Sequence, residues 1–228
     1  FWIFILRSNE PQNIDSETTV SIARPLEKPI AILNIGGVAN VTWIGLNSDI
    51  LAFDTGPGNA LIDDWVRINR VGTMDAGGIL ARSGQVHHIT LKKLMNKAYF
   101  NQVIPKSLDR NSFSFEPVAD LNPEDGAATL TAFSAMSVCE ALKYLPEKPI
   151  RWLVTGGGRY NKTLMENLRT YLKVSVEPVE SVGWNGDVLE AQAFAYLAVR
   201  SLKNLPISFP NTTGVLRPTS GGVYNSPS

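Results

Sequence analysis

The sequence predicts an α/β fold built on a mixed sheet flanked by helices. Three observations predict it. Short apolar runs bounded by glycine recur early in the chain, and runs of that length read as buried strands. Later stretches place apolar residues at three- and four-residue steps, the period of a helix. The order is strands first, then helices, then strand, helix, strand, helix, which is a layered α/β arrangement.

The elements follow in order. The apolar opening Phe1-Trp2-Ile3-Phe4-Ile5-Leu6 is far shorter than the roughly 20 residues of a membrane span and lacks a basic leader. A polar stretch continues to residue 29, so residues 1–29 read as an atypical leader or linker. Pro29 to Ile35 predicts a first strand, ended by Gly36-Gly37. Val38–Ile44 and Ile50–Phe53 predict two more, antiparallel if joined by hairpins. Beyond Pro57, placed near a helix start, Ala60, Leu61, Asp64, Trp65 and Ile68 step helically. Residues 75–100 look helical with a break near Ser83-Gly84, and a loop follows to Pro117. Asn122-Pro123-Glu124-Asp125 is the clearest helix start: an N-cap, a proline at the first position, then two acids suited to the helix dipole. That helix is expected to reach Tyr144. Arg151–Thr155 then reads as a strand, Gly156-Gly157-Gly158 as a turn, Asn161–Tyr171 as a helix, Val174–Glu177 as a strand and Gly186–Leu202 as a last helix. The main unit is therefore 30–205, with a Pro-, Gly- and Ser-rich tail over 206–228.

Composition narrows function. Among 228 residues, 21 Lys+Arg balance 21 Asp+Glu, which argues against a nucleic-acid footprint, and 44% apolar content argues against a disordered chain. The lone Cys139 excludes an intramolecular disulfide framework. With Cys139 the only cysteine and His87 and His88 the only histidines, neither a cysteine-cluster nor a His-rich metal centre is expected.

Chemistry concentrates at glycine-containing turns after strands. In Asn34-Ile35-Gly36-Gly37-Val38-Ala39-Asn40, paired glycines let backbone N–H groups approach an anion, or simply make a hairpin turn. In Phe53-Asp54-Thr55-Gly56-Pro57-Gly58-Asn59, an acid at a strand end precedes a helix N-terminus, so Asp54 is either a general base or a cap. In Thr155-Gly156-Gly157-Gly158-Arg159-Tyr160-Asn161, three glycines remove side-chain bulk and admit a flat ligand such as a nucleotide, or form a plain connection. Asp187 and Glu190, three apart at a predicted helix start, either serve the dipole or bind sugar hydroxyls or a metal. Lys106, Ser107 and Arg110 lie in a loop and could meet phosphate or carboxylate, though a solvated loop is the commoner outcome.

These four motifs, in this order and spacing, resemble those of the anhydro-N-acetylmuramic acid kinases, over about Ala31 to Tyr224. The resemblance implies an actin-like ATPase (ribonuclease H-like) lobe. It implies phosphorylation of 1,6-anhydro-N-acetylmuramic acid by ATP with Mg²⁺, with the anhydro ring opened by water, in bacterial cytoplasmic recycling of peptidoglycan. It makes Asp54 the catalytic base; Asn34, Gly36, Gly37 and Asn40 a phosphate loop; Gly156, Gly157, Gly158 and Asn161 the adenosine turn; and Thr55, Gly56, Asn59 and Glu190 substrate contacts alongside Asp54. It implies a homodimer. The family's loop after Pro105-Lys106-Ser107 usually runs Thr-Gly-Arg-Glu, whereas Leu108-Asp109-Arg110-Asn111 stands here. Nothing in residues 1–30 resembles the family's N-terminal Gly-Thr-Ser-x-Asp-Gly loop, so the expectation is a C-terminal lobe needing an N-terminal partner lobe and inactive alone. The alternative is an inactive nucleotide- or sugar-binding module of the same fold. The tail is then expected to be loosely held or to pair with another copy.

Overall fold

A computed structural model describes residues 23, 25–47 and 49–225, so most of the predicted leader lies outside the described residues. Five strands form one sheet: β1 (Ile30–Ile35), β2 (Val38–Ile44), β3 (Ile50–Pro57), β4 (Arg151–Thr155) and β5 (Ser175–Pro178). Their spatial order is β3-β2-β1-β4-β5. The β1–β2 and β2–β3 pairs are antiparallel, and β1–β4 and β4–β5 are parallel. Hence β1, β3, β4 and β5 run the same way, and the loops leaving their carboxyl ends gather along one edge of the sheet. In α/β sheets that edge is where ligands bind.

The helices are α1 (Ala60–Ile68), α2 (Ile79–Ser83), α3 (His88–Met95), α4 (Pro123–Glu140), α5 (Lys162–Leu172), α6 (Leu189–Leu202) and α7 (Pro210–Thr213). Alternation along the strands sends Leu33, Val41, Phe53, Trp152 and Val154 to one face, where they meet Ala135 and Val138 of α4 and Leu164 and Leu168 of α5. The opposite side of α4 supplies Leu130 and Phe133 to a second core with Trp65, Leu91, Leu94, Phe100 and Phe113. Sandwiched between two cores, α4 is apolar nearly all round rather than striped, as buried helices are. Each large side chain buried in this way contributes about 1.5–3 kcal/mol. Asn122 caps α4, accepting the Asp125 N–H at 2.7 Å.

Four details differ from the sequence reading. β3 continues past Phe53, so Pro57 closes an edge strand, where a missing N–H is tolerated, and α1 starts at Ala60. After Glu140, α4 tightens into a 3₁₀ turn over Ala141–Tyr144. The last helix begins at Leu189, which leaves Asp187 in the preceding turn. The tail, expected to be loose or to pair with another copy, folds back on its own chain: Ile207 and Ser208 N–H groups reach Thr219, and the Ser201 hydroxyl donates to the Gly221 carbonyl at 2.6 Å. Ala23 and Leu26, at the end of the predicted linker, pack with Ile30 and Ile44 on the sheet's other face. Among the described residues no helix is long and apolar enough to cross a membrane.

Candidate functional site

The register across the sheet assembles what the motifs offer singly. Asp54 on β3 is paired with Asn40 on β2, Asn40 with Asn34 on β1, and Asn34 with Thr155 on β4. These four residues form a polar row across four strands at the carboxyl edge. By alternation they lie on the face opposite the α4–α5 layer, since Leu33, Val41, Phe53 and Val154 all point to that layer. Thr155 belongs to the row although the motif analysis did not single it out; only pairing register reveals it.

Two of the turns lock together. The Gly36 carbonyl accepts the Asn59 N–H at 2.8 Å, and the Gly37 carbonyl accepts the N–H groups of Gly58 at 2.9 Å and Ala60 at 3.2 Å. The Asn59 side chain reaches back to the Ile35 carbonyl at 3.4 Å. Gly58 must be glycine here, because a Cβ would stand 2.4 Å from the Gly36 carbonyl oxygen. The start of α1 is thus anchored on the β1–β2 turn. The third turn joins from β4. Gly156 has φ of 74° and lies so close to Asn34 that a Cβ would sit 2.4 Å from its Oδ1, while Gly157 faces Asn59. Asn161 closes this turn as the N-cap of α5, its Oδ1 accepting the Leu164 N–H at 2.9 Å. Asn34, Gly36, Gly37, Asn40, Asp54, Asn59, Gly156 and Gly157 are therefore one neighbourhood.

Asp54 is 4% exposed. It caps no helix. Its Oδ2 accepts the Leu108 N–H at 2.7 Å, whereas Oδ1 is buried with no hydrogen-bond partner among the described residues. Burial raises its pKa above the ordinary carboxylate value, and the Leu108 amide offsets only part of that rise. A buried carboxylate with one oxygen held and one bare is suited to accept a proton. The loop containing Leu108 is therefore built into the site, despite its departure from the family pattern. Arg110, in the same loop, pairs with Asp64 of α1 at 3.0 Å and lies against Gly37.

Other expected contacts are engaged within the protein. The Thr55 hydroxyl is buried and donates to the Ala39 carbonyl at 3.1 Å. Gly56 is where α4 passes, a Cβ there falling 2.5 Å from that of Ser137. Glu190, in the first turn of α6, is exposed and hydrogen-bonds to none of the described residues, so the structure does not join it to the Asp54 group. Asp187 does not share a helical face with it. Instead Asp187 accepts from Arg159 Nη2 at 2.5 Å.

Arg159 escaped the motif analysis because it reads as an ordinary charged residue after a glycine run. Its side chain is 3% exposed. Nη1 donates to the Gly156 carbonyl and Nε to Glu180, both at 2.9 Å, and the guanidinium stacks 4.1 Å from the Tyr160 ring centroid. It ties the triple-glycine turn to the turn before α6. Lys106 was expected in solvent but is buried, with Nζ 4.3 Å and 4.7 Å from the ring centroids of Tyr99 and Tyr144. Among the described residues no cluster of three or more His, Cys, Asp or Glu could hold a metal ion.

Comparison with known proteins adds a family. A family model described as anhydro-N-acetylmuramic acid kinase matches residues 17–226. The chain is 56% identical over 206 residues to the anhydro-N-acetylmuramic acid kinase of Rhodospirillum rubrum, covering 90% of this chain and 55% of that protein. It is 52% identical over 195 residues to the enzyme of that name from Zymomonas mobilis, covering 85% of this chain and 53% of that one. The chain thus spans about half the length of the curated relatives it matches. Among solved structures, component A of the Acidaminococcus fermentans (R)-2-hydroxyglutaryl-CoA dehydratase aligns at TM-score 0.47 and 16% identity, covering 78% of this chain and 64% of that one.

Proposed function

The chain belongs to the anhydro-N-acetylmuramic acid kinase family, and from that premise we propose that it supplies the base and the nucleotide-binding turns of an ATP-dependent anhydro-sugar kinase. The observation that carries this reading is the state of Asp54: buried, raised in pKa, one oxygen fixed by Leu108 and the other bare.

In the proposed reaction Asp54 takes a proton from water as the water oxygen bonds to the anomeric carbon of 1,6-anhydro-N-acetylmuramic acid. The bond from that carbon to oxygen 6 breaks, oxygen 6 takes the γ-phosphoryl group, and ADP leaves with N-acetylmuramic acid 6-phosphate formed. Asn34, Gly36, Gly37 and Asn40 would face the phosphates, and Gly156, Gly157, Gly158 and Asn161 the adenosine, with the backbone close because side chains are absent. Asn59 and Glu190 would meet the sugar, while Thr55 and Gly56 shape its floor. Mg²⁺ would be carried on the nucleotide phosphates, where it would neutralise charge on the transferred group. The reading carries with it a cytoplasmic setting and a homodimer.

Phosphoryl transfer relies on electrostatic donors around the moving group. The matched half alone is accordingly expected to show little or no turnover. The test joins this chain to the preceding half of the Rhodospirillum rubrum relative and follows product mass. ATP-dependent gain of one water and one phosphoryl group by the anhydro-sugar is the expected result. ATP consumption without that product, or no reaction, would overturn the assignment.

A further inference from the structure

Asp54 stands on β3, an edge strand, whose outer side has no neighbouring strand among the described residues to bond its backbone. Three contacts close that side in a ring. The Asp54 N–H donates to the Lys106 carbonyl at 3.0 Å, Lys106 Nζ donates to the Tyr99 carbonyl at 2.9 Å, and the Tyr99 hydroxyl donates to the Asp54 carbonyl at 2.6 Å. Both backbone polar groups of Asp54 are thereby fixed by Lys106 and Tyr99. Two residues beyond Lys106, Leu108 fixes the carboxylate itself.

From this ring we infer that Lys106 is a positioning residue for Asp54, acting through the loop that delivers the Leu108 amide to the carboxylate. The inference rests on the reading of Asp54 as the base. A lysine that served only the fold would be poorly chosen here. It is 8% exposed and makes one hydrogen bond and two ring contacts, with no carboxylate bonded to it. Burial first, and Lys143 second, hold its pKa down to about 8 against the opposing pull of Glu140; Tyr99 and Tyr144 are the other titratable groups against it. Its charge is therefore a burden on the fold at neutral pH. Such a residue makes sense where it orders something else. A neutral side chain of similar length would relieve the burden but could not hold the Tyr99 carbonyl, so the loop would loosen over Asp54.

The test uses the 228-residue chain labelled with ¹³C and ¹⁵N, and reads the Asp54 carboxyl titration and amide exchange rather than turnover. In Lys106→Met, thermal stability at pH 7 is expected to hold or rise. Exchange at the Asp54 and Leu108 amides is expected to quicken about tenfold, the loss of one buried charge-assisted bond. The Asp54 titration midpoint is expected to move upward, because the amide that favours its charged form is less often in place. Lys106→Gln keeps a donor and is expected to restore part of each effect. Tyr99→Phe, which keeps the ring and removes only the bond to the Asp54 carbonyl, is expected to quicken exchange at Asp54 and keeps the idea testable if the lysine variants do not fold. Unchanged exchange and titration in the folded variants, or a large loss of stability in Lys106→Met with Asp54 undisturbed, would overturn it. Because no turnover is measured, that outcome leaves the role of Asp54 itself standing, and an inactive enzyme would leave the ring standing.

Discussion

Replacing Asp54 by asparagine separates a functional carboxylate from a structural one. Asparagine keeps the shape and can still accept the Leu108 N–H through its carbonyl oxygen, so the one observed hydrogen bond survives in weaker form. What disappears is a buried charge whose second oxygen has no partner. The asparagine NH2 that takes the place of Oδ1 is still without a partner, so the substitution relieves only the extra cost of burying a charge rather than a neutral polar group, and the weakened Leu108 bond gives back part of that. The net expectation is a variant as stable as the parent, or more stable by ~1 kcal/mol, at pH 7. For a chain of this size that corresponds to a melting temperature higher by about 2–4 °C. The sign follows from linkage. Asp54 has a folded pKa raised above its unfolded value, so it does not weigh on the fold below the ordinary carboxylate range, and stability is lost as pH rises through the raised value. The advantage of Asp54→Asn should therefore be absent near pH 4, by about the unperturbed carboxylate pKa, and should grow as pH rises through the raised value. Thermal melts of both proteins across that range measure it. A variant less stable than the parent at pH 7 by more than ~1 kcal/mol would refute the reasoning, since it would show that the carboxylate holds the loop together.

Other expectations follow from the same geometry. Gly58→Ala drives a methyl into the backbone carbonyl of Gly36, a contact that no side-chain movement can relieve, and should cost about 1–3 kcal/mol in urea unfolding. Arg159→Met removes four hydrogen bonds from a buried guanidinium, to Gly156, Tyr160, Glu180 and Asp187; the nucleotide turn should loosen, and fluorescent ATP-analogue titration should show weaker binding, while an unchanged affinity would detach that turn from the nucleotide. Asn122→Ala strips the cap of α4 and should cost ~1 kcal/mol in a thermal melt without altering nucleotide binding.

Much of this was legible in the sequence, and the reasons are local. Strand β4 could be located because Trp152, Leu153 and Val154 form an apolar run closed by glycines, and α4 because Asn122-Pro123-Glu124-Asp125 combines three start signals. The turns bearing Asn34, Asp54 and Gly156 could be singled out because glycine beside a polar residue at a strand end is locally unusual. Their convergence on one edge was not legible, because it depends on strand order and register. The Asp54–Asn40–Asn34–Thr155 row exists only once β2 pairs with both neighbours. The burial of Lys106 and of Arg159 was not legible for a related reason. A lone cation in a polar stretch looks solvated, and only tertiary partners distant in sequence, Tyr144 for one and Glu180 with Asp187 for the other, show that each is enclosed. Helix α6 began later than expected because Gly186 and Asp187 are drawn into the Arg159 network in place of a first helical turn.

The central claim is that Asp54 is the base for water attack in an anhydro-sugar kinase. The most direct measurement is coupled ATP consumption with 1,6-anhydro-N-acetylmuramic acid, using this chain joined to its relative's preceding half, with and without Asp54→Asn. Sugar-dependent consumption that falls by about 10²-fold or more in the variant, with nucleotide binding retained, is the predicted result for loss of a general base. Equal rates in the two proteins would contradict the account.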